Sequence, residues 1–161
     1  MTPDRLAARI EGDFVVFLIG MRINALHRPD KWVPVARAMG RAMVELRANP
    51  DLGLLGSRTL RAGRHIDVVQ YWRSFEHLHA YARARDAAHL PAWRAYNRAV
   101  RGNDAVGVWH ETFLVRAGDY EAVYRSMPPY GLAAASGHAE AVGNLHSAAG
   151  RLGRGVEPDL I

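Results

Sequence analysis

Residues 68 to 112 restrict the fold more than any other stretch. VVQYWRS is rich in β-branched and aromatic residues, as strands are. FEHLHAYARARDAAHLPAWRAYNRAV then sets Leu78, Tyr81, Ala82, His89, Ala92, Trp93, Tyr96 and Val100 along one helical stripe. AVGVWHETFLV returns to a strand period, with Val106, Val108, His110, Thr112 and Leu114 on one face and Gly107, Trp109, Glu111, Phe113 and Val115 on the other. Pro91 lacks an N–H and crowds the preceding turn, so the helix breaks or restarts just after His89. Gly102-Asn103-Asp104 stops it.

Phe14 to Ile23 (FVVFLIGMRI) is a strand, and Asn24 to Asp30 is a loop. Trp32 to Ala48 is a helix carrying Val35, Met39, Met43 and Leu46 on one face, with Asp30 as its N-cap and Asn49-Pro50-Asp51 as its stop. Leu54 to Leu60 and His65 to Trp72 are separated by a short turn at 62 to 64, which makes them an antiparallel hairpin. Ser74 caps the next helix, with His77 three residues on.

The order β-α-β-β-α-β defines an α+β fold of the ferredoxin-like type. Its antiparallel sheet carries both helices on one face. Strand one is apolar on both faces, Val15, Phe17 and Ile19 against Phe14, Val16 and Leu18. The second face therefore needs a cover, and a homodimer with two sheets packed as an α+β barrel supplies one. Residues 1 to 12 are expected to be a loose lead-in with at most one helical turn, and residues 13 to 135 the barrel domain. Within it, Asp119 to Ser126 reads as a short helix. Residues 136 to 161, rich in Gly, Ala and Arg, are an extension that wraps the barrel or is partly disordered.

Composition narrows function. At 161 residues the chain is one domain with room for a sizeable core. No apolar run approaches the ~18 residues that cross a bilayer, and the N-terminus has no apolar signal core. No membrane association and a cytoplasmic location are the expectations. The absence of cysteine agrees and excludes disulfides and thiolate ligation. The formal charge of +5 comes from arginines spread along the chain, Lys31 being the single lysine. Nucleic-acid binding needs a clustered basic footprint, so it is not expected.

Two histidines carry the chemical interest. His89 lies in the apolar helix stripe between Tyr81 and Trp93, and His110 interrupts an apolar strand row. A neutral imidazole on a buried face can ligate a haem iron, and one with a pKa near neutrality can move a proton. The plainer reading of each is a core histidine bonded to a backbone carbonyl. Glu111, in the opposite row, is a surface or dimer-edge charge. His77 and His79, two apart on a helix, face different ways and make a poor metal pair. Ser136, Ser147, His138 and His146 belong to the loose tail.

The segment with His89 in H-x-x-x-W, followed 21 positions later by His110 in Trp-His-Glu, resembles the carboxy-terminal half of aldoxime dehydratases. Tyr120-Glu121 and Met127-Pro128-Pro129-Tyr130-Gly131-Leu132 continue the resemblance, which covers roughly residues 66 to 135. It implies a haem b in a ferredoxin-like barrel, with His89 as axial iron ligand and His110 as distal acid/base. Asp86-Ala87-Ala88-His89 departs from the family's HxxH pairing, and Met127 replaces the turn histidine. The family's distal Ser and Arg have no matched positions. Arg22, Ser57 and Arg58 are candidates as strand residues, and Arg22 is taken as catalytic beside His110.

Over nearly its full length, through FLIGMRIN, KWVPV, YWRS, HLPAWRAYNR and WHETFLV, the chain also resembles a family of small bacterial monooxygenase-like proteins of undefined role. That family shares the dimeric α+β barrel with antibiotic-biosynthesis and haem-degrading monooxygenases. Such barrels hold a small-molecule substrate between sheet and helices, where Trp72, Trp93, Tyr96 and Trp109 could line a pocket; with a haem there, Trp72, Tyr81, Trp93 and Tyr96 are the expected cofactor-binding residues beside His89. These aromatics also suit a plain core. Three functions follow as expectations: a haem b enzyme acting on a small N–O substrate, a cofactor-independent monooxygenase, and a haem carrier or sensor.

Overall fold

The computed structural model describes residues 5–84 and 90–155. Four long strands form its main sheet: β2 (Phe14–Ile23), β3 (Leu54–Ala62), β4 (His65–Trp72) and β5 (Val106–Val115). They run antiparallel in the order β3-β4-β2-β5. The helices α1 (Pro29–Ala48), α2 (Phe75–Arg83) and α3 (Pro91–Val100) complete the ferredoxin-like unit. The expected fold class is what is observed.

Helix boundaries follow local chemistry. α1 begins at Pro29, earlier than its apolar period suggests, because a proline at the first helical position loses no bond and has its φ preset. Arg28 is the N-cap residue, so Asp30 is not. Asp30 lies in the first turn and pairs with Arg28, Nη2 to Oδ2 3.1 Å. Ser74 caps α2 as expected, its Oγ accepting from the His77 N–H. Pro91 starts α3 as a separate helix.

Leu90, the residue before Pro91, has no side chain that can cap. The carboxylate of Glu45 on α1 does so instead, accepting from the backbone N–H of Ala92 at 2.9 Å and Trp93 at 3.0 Å. A cap supplied from another helix fixes where α3 sits and how its aromatic side chains are aimed.

The core between sheet and helices contains Val15, Met21, Val35, Leu46, Val68, Trp72 and Leu90. The far face of the sheet has a smaller core around Phe14, Val69, Tyr71, Leu132 and Ala133. Here the structure differs from expectation. Residues 5 to 8 form a strand, β1 (Arg5–Ala8), not a loose lead-in. β1 pairs with β6 (Val123–Arg125), inside the expected helix 119 to 126, and with β7 (His138–Glu140), inside the expected extension. The Tyr120 hydroxyl donates to the Ile10 carbonyl and accepts from its N–H, clamping the two ends together. These contacts join residues 110 or more positions apart, and nothing in a local window announces them.

Beyond β6, α4 (Leu132–Ala135) lies against β3, and α5 (Ala148–Arg151) follows β7. Gly56 on β3 has no Cβ to collide with Ala135, which lets α4 lie flat on the sheet. The far face is thus covered in part by the chain's own ends. The edge strand β5 is less covered, with Phe113 exposed on this far face and Val108 and Leu114 exposed on the helix face. Among the described residues, no helix is long and apolar enough to cross a membrane.

Candidate active site

The helix-bearing face of the sheet is not fully closed. A cleft of about 440 Å³ opens between β5 and the helices α2 and α3, a size typical of small-molecule sites. Phe17 and Ile19 form its floor, Trp93 and Tyr96 one wall, and Val108 and His110 the other. It continues inward to a space of about 40 Å³ beside Gln70, Met43 and Tyr81, enough for a water or a small polar group.

Three aromatic rings order the wall. Tyr81 and Trp93 stack at 4.9 Å between centroids, and Trp93 and Tyr96 at 5.4 Å. Their one-sided packing follows from the stripe at 81, 93 and 96 and from the Glu45 cap that sets α3. The Tyr81 hydroxyl and the Trp93 indole nitrogen are buried and have no hydrogen-bond partner among the described residues. Burial, with the nearby Glu45 charge, raises the Tyr81 pKa, and burial pushes Tyr96 up to about 12. Both phenols stay protonated at neutral pH, so Tyr81 has a proton to donate. Unmet donors of this kind are costly unless a ligand atom reaches them.

Gln70 is the polar residue that the sequence reading missed. It stands buried in the row Ile66, Val68, Gln70, Trp72, accepts at Oε1 from the Trp72 indole at 2.8 Å, and donates toward the Met43 sulfur at 3.4 Å. A glutamine within an otherwise apolar strand row was the available signal. Glu45 left a fainter one, the missing local cap at Leu90.

His110 sits opposite Ile19, with its ring 5.6 Å from that of Phe17, on the cleft side of the sheet. It is exposed rather than buried, because β5 is the sheet edge and no element of the described chain lies over it. The site is therefore an open cleft and not the enclosed cavity expected. His89 lies outside the described residues. Trp93, Tyr96 and Tyr81 line the cleft or its inner space.

Trp72 does not line it. Fully buried, it fills the core behind Gln70, its ring 5.6 Å from that of Tyr81. Arg22 is not brought to the site either. It lies two strand positions beyond Gly20 on the opposite face, where its guanidinium donates to the Asn24 side chain at 2.7 Å. Strand parity decides this: odd-numbered residues of β2 face the helices and even-numbered ones do not. Trp109, in the opposite row from His110, lies beside Gly20 and still contributes to the cleft lining. Ser57 accepts from the Arg47 guanidinium at 2.8 Å, and Arg58 lies on the far face.

Haem is the cofactor the resemblance implies. The described lining of the cleft offers flat apolar surfaces and two imidazoles, His79 and His110, but no arginine or lysine to meet two propionates. The axial ligand expected, His89, is not among the described residues. Those residues suit a flat apolar molecule with a polar edge and do not fit a dianionic macrocycle. Among them, no group of three His, Asp or Glu side chains could hold a bare metal ion.

A ferredoxin-like sheet with an apolar cleft under its helices defines the class, and comparison with known proteins supplies the family. Residues 14–132 match the Monooxygenase af470-like family, and the chain belongs to it. It is 28% identical over 129 residues to Monooxygenase af470 of Aspergillus fumigatus, a match covering 74% of this chain and 45% of that protein. The chain thus spans less than half the length of that relative. Among solved structures it is similar to an aldoxime dehydratase (OxdRE) in complex with butyraldoxime, with a TM-score of 0.60 and 18% identity over 79% of this chain and 38% of the other. A second is SnoaB of Streptomyces nogalater, a cofactor-independent oxygenase, with a TM-score of 0.46 and 16% identity over 65% of this chain and 95% of the other.

Proposed function

We propose that the chain is a monooxygenase that oxidises a flat, largely aromatic small molecule carrying an acidic C–H. The observation that carries this reading is the apolar cleft with Trp93 and Tyr96 on one wall, Tyr81 stacked on Trp93 in the inner space, and the His110 imidazole on the other wall. Family membership supports it. The stack offers a plane for an aromatic ring. The Tyr81 hydroxyl and the Trp93 N–H can each donate to a substrate oxygen, stabilising the charge that develops there.

His110 acts as general base. It takes the proton from an activated methylene, and the resulting carbanion bonds to one atom of dioxygen. The O–O bond then breaks. One oxygen stays as a carbonyl, and the other leaves as water with the two former methylene protons. Carbon is oxidised and dioxygen reduced, so no outside reductant is needed. Exposure of His110 suits this role, since the ring can exchange its proton with solvent.

The assay is oxygen uptake with anthrone as the probe, using metal-free and haem-free protein. Turnover that falls ~10²-fold or more in His110→Ala is the expected result. No uptake by the cofactor-free protein, together with a Soret band after haem addition that His89→Ala removes, would replace this reading with the haem enzyme that the resemblance implies. The apolar edge of β5 also supports a homodimer in which a second copy covers Phe113 and Leu114.

A further inference from the structure

The Met127–Leu132 motif takes no part in the cleft. It delivers Tyr130 and Gly131 to a second cavity, of about 400 Å³, at the free edge of β3. We infer that this cavity is a binding site for a small organic carboxylate with an apolar body, separate from the cleft.

Charge is the first argument. Arg47 and Arg58 both line the cavity, and among the described residues no carboxylate does. Arg47 is held by Ser57 Oγ, through Nε at 3.2 Å and Nη2 at 2.8 Å. The Arg58 guanidinium lies over the Tyr130 ring, 4.7 Å from its centroid, and its Nε is buried with no hydrogen-bond partner among the described residues. Two cations sharing a partly enclosed space without a counter-charge favour an anion drawn from solution.

Geometry narrows the anion. The Tyr71 hydroxyl and Arg58 Nη1 converge on Gly131, where an added Cβ would come within 3.1 Å and 3.4 Å of them. Tyr71 is 8% exposed. Burial raises its pKa despite the opposing Arg58 charge, so the hydroxyl remains a donor at neutral pH. A guanidinium fork beside a phenol matches the two oxygens of a carboxylate. The remaining lining, Leu55, Ala134 and Ala135, is apolar and offers no side-chain donor to further phosphate oxygens. The cavity lies at the β3 edge of the sheet and the cleft at the β5 edge, so the two sites are separate.

Calorimetric titration of the full chain with benzoate tests this. Saturable binding is expected, weakened roughly tenfold or more in Arg58→Gln. Arg58→Lys, which keeps the charge and loses the fork, weakens it as well, and Tyr71→Phe weakens it about threefold. His110→Ala leaves it unchanged. Circular dichroism confirms folding; should Arg58→Gln not fold, Arg58→Lys and Tyr71→Phe decide. Absence of benzoate binding, binding undiminished in folded Arg58 variants, loss in His110→Ala, or inorganic phosphate binding as tightly as benzoate would each overturn the inference.

Discussion

The two faces of the main sheet are built differently. The helix face rests on a continuous core of large side chains from three helices, and it leaves its opening where the edge strand β5 runs out of cover. The far face is covered by short strands and one turn of helix, gathered from both ends of the chain. The lesson is that a sheet needs cover on both faces, but only the cover made of long periodic elements declares itself in sequence.

Removing His110 should have the largest effect. His110→Ala is expected to lower turnover by ~10²- to 10⁴-fold while leaving the melting temperature nearly unchanged, since the ring is exposed. A fall in stability of similar weight would mean that the edge strand, and not the cleft, depends on it.

Deleting core volume on each face sharpens the contrast. Trp72→Ala, at a fully buried helix-face position, should cost ~3–5 kcal/mol in denaturant unfolding. Leu132→Ala, from the thinner far-face layer, should cost ~2–3 kcal/mol, because short elements can settle into the gap. Equal costs would say that both layers are equally rigid.

Glu45→Ala removes the cap of α3 and with it two backbone hydrogen bonds. About 1–2 kcal/mol of stability should be lost, together with the quenching of Trp93 fluorescence by bound anthrone. A stability loss without a binding change would separate the helix from the cleft.

A further effect is alkaline. Tyr96 has its pKa raised from 10.0 to about 12 in the fold, and Tyr81 is raised in the same direction. The unfolded chain therefore ionises first. Their contribution is complete below about pH 10 and is lost as pH rises toward 12. Melting curves from pH 8 to 12 should show this decline, and Tyr96→Phe should flatten it.

How far the sequence could be read follows the same divide. Strand β2 and the caps at Ser74 and Pro91 were legible because apolar periods and capping residues act over a few positions. Trp93 and Tyr96 were legible as cleft residues because they share one stripe. Arg22 was misplaced because membership of a strand says nothing of the face until register is known. His110 was assigned to the correct face but not to the correct depth, which depends on β5 lying at the edge of the sheet.

The sequence by itself determined the order and type of the long elements, since hydrophobic period and turn chemistry are local properties. Tertiary structure alone decided which strand became the edge, that β1, β6 and β7 would pair, and that Glu45 would cap a helix it does not belong to. Those contacts join residues far apart in the chain, and their free energy exists only once the surrounding core has brought the partners together.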